Sequence, residues 1–231
     1  METRIIALHG AAGGQGTTVC AAALASHLAH SGQAVLLVDY RGDMAATVGL
    51  ASDPEAPKEA DLASTEALRS HASPIRNNLH MVAYPFAYQR TRLMQLQVEQ
   101  LASVVEGAWD CVVIDAGSLN SGTSWATLRS LPESTMHLLV CRGAYTSLRR
   151  SVHHSGLRSF AGVIARQSVD RPLKAREIAD VLQLPVLDTV DDSADIARAH
   201  DAGVLMTRTP DGLLQSLAGR LVTESSIRGS Q

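Results

Sequence analysis

The chain has 231 residues, 45% of them apolar and 19% charged, which supplies a sizeable α/β core and excludes extensive disorder. With 3% aromatic residues it offers few stacking platforms for single-stranded nucleic acid, and its apolar runs are strand-sized, far short of the ~20 residues of a membrane span. The net charge is −3, and of 20 basic residues all but Lys58 and Lys174 are Arg, so chemistry that needs a lysine elsewhere is excluded.

Met1–Arg4 shows no sign of a signal peptide and leads directly into a strand, Arg4–Leu8. A glycine-rich turn follows, then an Ala-rich helix from Thr17 to about Ser31, stopped by Gly32. Ala34–Asp39 reads as a second buried strand ending on a carboxylate. Residues Ala51–Asn78 carry Pro54, Pro57 and Pro74 and read as a loop with one weak helix near Ser64–His71. Leu79–Ala83 reads as a strand. Tyr88–Glu106 reads as a helix, with Leu93, Leu96, Leu101 and Val104 near helical spacing. Cys111–Asp115, Met136–Cys141, Phe160–Ala165 and Pro185–Val190 read as further strands. Helices are expected near Thr123–Ser130, Tyr145–Ser155, Ala175–Leu182, Ser193–Ala202 and Gly212–Val222.

Such alternation implies βαβ units. The expected fold is α/β, a mostly parallel twisted sheet of about seven or eight strands with helices on both faces. Residues 1–222 are expected to form a single domain, and 223–231 a polar tail. Ligands of such sheets bind beyond the carboxyl ends of the strands. Cys20, Cys111 and Cys141, odd in number and set in apolar segments, read as buried thiols of a reducing compartment, so a cytoplasmic protein is expected.

Gly10-Ala11-Ala12-Gly13-Gly14-Gln15-Gly16-Thr17-Thr18 joins the first strand to the first helix. Its glycines let successive backbone N–H groups approach a ligand, and the helix adds unpaired N–H groups and a positive dipole end. Together they make an anion site, most simply for phosphate. Two designs use such a turn. Gly10, Gly14 and Gly16 with Asp39 resemble the start of a short-chain dehydrogenase, an NAD(P)-binding family. That family uses a Tyr with a Lys four residues later, and Tyr40, Tyr84, Tyr88 and Tyr145 are followed at that spacing by Met44, Tyr88, Arg92 and Arg149.

The P-loop design matches over more of the chain. Gly13-Gly14-Gln15-Gly16-Thr17-Thr18 resembles the deviant Walker A loop of the ParA/MinD family of P-loop ATPases. Val35–Asp39 resembles that family's strand before switch I, and Trp109–Asp115 its Walker B strand. Leu184–Leu187 with Asp191-Asp192 resembles its C-terminal strand–helix module. The resemblance implies a P-loop NTPase-like fold, ATP or ADP with Mg²⁺ as ligand, and a homodimer. It also implies a role in placing chromosomes, plasmids, the septum or a surface appendage. Gly13, Gly14, Gln15, Gly16, Thr17 and Thr18 are then the nucleotide-binding residues, and Thr18, Asp39 and Asp115 the Mg²⁺ site.

Departures from the family pattern matter as much. The family's signature lysine falls on Ala12 and its Walker A lysine on Thr17. The second Asp of its D-x-D falls on Arg41, and its base-recognising Asn on Ala165 or Arg166. A charge-assisted hydrogen bond contributes ~1.5–3 kcal/mol, so two lost lysine contacts weaken triphosphate binding by roughly 10²–10⁴-fold. Weak binding and impaired hydrolysis are expected, with no catalytic residue assigned; Arg41 is a candidate replacement cation. A nucleotide-independent dimeric scaffold is the alternative.

From Arg142 to Arg176 eight basic residues face one acid, Asp170, leaving −10 elsewhere. Arg149 with His153, and Arg150 with His154, form i,i+4 pairs that offer a surface to DNA phosphates or an acidic protein partner, against the plainer reading of a solvated helix. Leu213, Leu214, Leu217 and Leu221 mark an apolar stripe expected to pack on the sheet. Only Arg220 and Arg228 are basic near it, so no stable membrane anchor is expected.

Overall fold

A computed structural model describes residues 2–51, 54–55, 64–84, 91–169, 171, 173–207 and 212–228. Five apolar segments form the central parallel strands: β1 (Arg4–Gly10), β2 (Val35–Asp39), β4 (Leu79–Ala83), β5 (Cys111–Ser118) and β6 (Met136–Arg142). With β3 (Ser73–Arg76), β7 (Phe160–Gln167) and β8 (Val186–Asp191) they make an eight-stranded sheet ordered β3-β4-β2-β5-β1-β6-β7-β8. Only β3 runs antiparallel, paired with β4. Near-continuous apolar runs such as Val35–Val38 and Cys111–Ile114 are fully buried because helices cover both faces.

On one face lie α1 (Thr17–His30), α2 (Met44–Val48), α8 (Ala194–Asp201) and α9 (Gln215–Arg228). On the other lie α3 (Thr65–His71), α4 (Thr91–Val105), α5 (Gly122–Ser130), α6 (Tyr145–Val152) and α7 (Ala175–Leu182). Serine side chains cap three helices: Ser64 accepts from Ala67 N at 3.1 Å, Ser121 from Ser124 N at 3.1 Å and Ser193 from Ile196 N at 3.1 Å. Helix α1 is exceptional in being buried nearly all round, since strands lie beneath it and α9 above; its alanines permit both approaches. Leu213, Leu214, Leu217 and Leu221 are buried in the same core. No helix of the described residues is long and apolar enough to cross a membrane.

Three differences from the sequence-based expectations are local. The Ala51–Asn78 segment holds β3 as well as α3; its residues 52–53 and 56–63 lie outside the described residues, as do Tyr88–Arg90 of the helix expected from Tyr88. The short helix α2 was not expected; it begins where Asp39 accepts hydrogen bonds from Arg41, Gly42 and Met44 N–H groups. Helix α9 runs on to Arg228, into the stretch read as a polar tail. The dehydrogenase-like alternative is corrected by topology. A dinucleotide fold places its second strand beside its first, whereas here β5 separates β1 from β2.

Candidate functional site

Strands β1, β2, β5, β6, β7 and β8 direct their carboxyl ends towards one open cleft of about 970 Å³. Its floor is the turn Ala12–Thr18 between β1 and α1. Gly14 and Gly16 adopt φ of 72° and 81°, left-handed values that cost other residues strain. Gly16 is the N-cap of α1 and brings no side chain to the helix end, and the first turn holds no acid. The positive end of the helix therefore faces the cleft uncompensated.

Thr18 and Asp115 come together: Thr18 Oγ1 donates to Asp115 Oδ2 at 2.6 Å, and Gly117 N–H donates to Oδ1 at 3.0 Å. Burial pushes Asp115 up to about 6; its two hydrogen bonds and Arg41 oppose the shift, while Asp39 adds to it. The stem of Arg41 lies over Gly117, where a Cβ would be 2.6 Å from Arg41 Cδ. Asp39 does not line the cleft. Its carboxylate accepts from Arg41 N at 2.7 Å, Gly42 N at 2.9 Å and Met44 N at 2.9 Å, so it holds the turn before α2. Burial raises its pKa and these amides oppose the rise.

The remaining loop residues divide by direction. Gly13 and Gly14 have open space where a Cβ would project. The Thr17 hydroxyl turns back beneath the loop, 2.5 Å from where a Cβ on Gly10 would lie. Gln15 is buried; its Oε1 accepts from Arg142 N at 2.7 Å and its Nε2 donates to Ser147 Oγ at 3.4 Å. Gly13–Thr18, Arg41 and Asp115 thus share the cleft, whereas Arg149, Arg150 and His153 lie exposed on and just after α6, outside it.

The sequence did not single out Arg142 and Asp192 as site residues. Arg142 at the end of β6 and Asp192 after β8 meet Arg166 of β7: Arg142 Nη2 lies 3.3 Å from Asp192 Oδ2, and Arg166 Nη2 bonds Asp192 Oδ1. All three line the cleft. Their strand-end positions were a usable signal, but their convergence depends on sheet order.

The loop amides, the end of α1 and the Thr18–Asp115 pair fit a phosphate group with a divalent cation. Among the described residues no group of three or more His, Cys, Asp or Glu side chains could hold a metal, so Mg²⁺ here would depend on Thr18, Asp115 and the ligand's own oxygens. Lysine is missing from the fit: Lys174 does not line the cleft, and Lys58 lies outside the described residues. Cys20, Cys111 and Cys141 are free and buried, and burial pushes each thiol up to about 12.

The family described as "Cellulose biosynthesis protein BcsQ" matches residues 3–141, more than half of the chain, ending immediately before Arg142. No curated protein matches the sequence. In fold the chain is similar to the septum site-determining protein MinD of Pyrococcus horikoshii complexed with Mg-ADP, with TM-score 0.77, 18% identity, and 97% of this chain and 98% of that one covered. The MinC:MinD cell division complex of Aquifex aeolicus gives TM-score 0.76 at 17% identity, covering 95% and 96%. A ParA family ATPase from Chlorobium tepidum gives TM-score 0.72 at 18% identity, covering 94% and 96%. At these identities the likeness is one of fold.

Proposed function

The chain belongs to the family of cellulose biosynthesis protein BcsQ and has the ParA/MinD fold, and from that premise we propose that it binds an adenine nucleotide weakly and uses it to place a cellular cargo. The observation that carries this reading is the cleft itself, where loop amides, the free end of α1 and the Thr18–Asp115 pair converge with no lysine among the described residues that line it. Gly13–Thr18 cradle the phosphates of ATP or ADP. Thr18 and Asp115 would hold Mg²⁺ beside the phosphates, while Asp39 acts indirectly by shaping the turn that carries Arg41. Hydrolysis is impaired, because among the described residues no ammonium group lines the cleft to meet the charge that develops on a transferred phosphoryl group.

In this reading residues 1–222 work as one cytoplasmic unit, as a homodimer that engages a protein partner. The MinC:MinD complex supports that architecture. The family's description points to the cellulose-synthesis apparatus as the cargo, and partition of DNA is the other cargo that the fold supports. Calorimetry with ATP and ADP, with and without Mg²⁺, tests the proposal. Binding that weakens when Mg²⁺ is withdrawn, with slow or absent phosphate release, is the expected result. No heat with either nucleotide would leave the dimeric scaffold as the better account. Rapid phosphate release would refute the impaired site.

A further inference from the structure

Arg142, Arg166 and Asp192 come from three separate strand ends and meet against the glycine loop. Arg142 Nη2 lies 3.3 Å from both Asp192 Oδ1 and Oδ2, and Arg166 Nη2 bonds Oδ1. The cluster is tied to the loop through one residue. Arg166 Nη1 donates to Gln15 O at 3.1 Å, and Arg142 N donates to Gln15 Oε1 at 2.7 Å. The Arg166 guanidinium lies against Gly16, where a Cβ would overlap Nη1 and come within 2.9 Å of Cζ. Asp192 is fixed from behind, its N–H donating to Gln167 O at 2.7 Å.

Two features mark this cluster as incomplete. Two guanidinium groups share one carboxylate beside a loop that already favours anions. The Arg166 side chain is only 9% exposed, and the Nε–H groups of both Arg142 and Arg166 are buried with no hydrogen-bond partner. A buried donor without an acceptor is costly, and a planar guanidinium matches carboxylate and phosphate oxygens alike.

We propose that Asp192 is a resident substitute for a ligand phosphate: its carboxylate occupies Arg142 and Arg166, and a nucleoside di- or triphosphate seated in the glycine loop takes these two arginines from it. The inference rests on the nucleotide reading and deepens it. The cations missing from the loop are supplied by β6 and β7, behind an internal competitor that lowers affinity until it is displaced. Selectivity then follows the phosphate chain rather than the base.

The test is titration calorimetry of the whole chain and its variants with two probes, MgATP and inorganic tripolyphosphate. Asp192→Asn keeps the shape and removes the competing charge, so affinity for both probes rises about tenfold, the worth of one charge-assisted hydrogen bond. Arg166→Ala weakens both by a similar factor, Arg166→Lys recovers part of the loss, and adding Asp192→Asn to Arg166→Ala brings no comparable gain. Asp192→Ser serves if the Asn variant does not melt cooperatively. Unchanged or weaker binding in a folded Asp192 variant, with wild-type binding intact, overturns the competitor and leaves the nucleotide site standing. No binding of either probe to wild type or folded variants overturns both.

Discussion

Two polar clusters sit on opposite faces of the sheet. Strand alternation places Arg166 on the face of Ile164 with α1, and His9 of β1 on the face of Ala7 with α5. The histidine cluster is closed. His9 Nδ1 lies 2.7 Å from Ser124 Oγ, His9 Nε2 lies 3.1 Å from His137 Nδ1, and both rings pack edge-on to Phe160. Burial first, then the neighbouring His137 and His154, holds His9 well below the usual histidine range; burial alone brings His137 to about 4. Both rings are therefore neutral near pH 7. The arginine cluster is charged, opens on the cleft and keeps two donors unused. A completed polar cluster fixes packing; one with spare donors beside an anion site can be completed by a ligand.

The largest expected effect comes from closing the open cluster against the loop. Gly16→Val puts a β-branched side chain at φ of 81° and into the Arg166 guanidinium. Calorimetry should detect no ATP binding, while denaturant unfolding shows a loss of about 1–3 kcal/mol from backbone strain. Retained ATP affinity would mean that the loop and the arginines are not one site.

The closed cluster should reveal itself through pH. His137 titrates at about 4 in the folded chain and near 6.5 when unfolded, so between these values the unfolded chain binds more protons. The contribution of His137 to stability is then full above pH ~6.5 and is lost as pH drops towards ~4, by roughly 3 kcal/mol, with His9 adding in the same direction. Urea unfolding from pH 4.5 to 7.5 should show stability rising less with pH in His137→Gln than in wild type, because the raised carboxyls of Asp115 and Asp39 oppose the histidines equally in both chains. Equal slopes would remove the neutral-histidine account.

The same contrast explains what the sequence made legible. Buried strands such as Val35–Asp39 spell their burial locally, and so does the Gly13–Thr18 loop, because chain direction alone brings it to the start of a helix. Strand β3 does not: Ser73-Pro74-Ile75-Arg76 is a short edge strand with neither an apolar run nor alternation. Asp39 was visible as a carboxylate at a strand end, but not that three backbone amides would occupy it. Arg142, Arg166 and Asp192 are far apart in sequence, and only the order β6-β7-β8 brings them together. Local patterns reveal sites made of backbone; sites made of converging side chains need the topology.

The smallest expected effect concerns Arg149 and Arg150, which lie in the last turn of α6, exposed and outside the cleft. Cations at that end of a helix complement its negative dipole end and contribute about 0.3–1 kcal/mol each at low salt. Helix stabilisation alone thus accounts for their placement. Arg149→Ala/Arg150→Ala should leave ATP affinity unchanged and lower the melting temperature by a few degrees, an effect that shrinks as salt is raised. Retention on duplex DNA at low salt should be the same for the variant and wild type. A loss of retention in the variant, without any change in melting, would transfer these arginines from the helix to a nucleic-acid surface and make the DNA cargo the stronger reading.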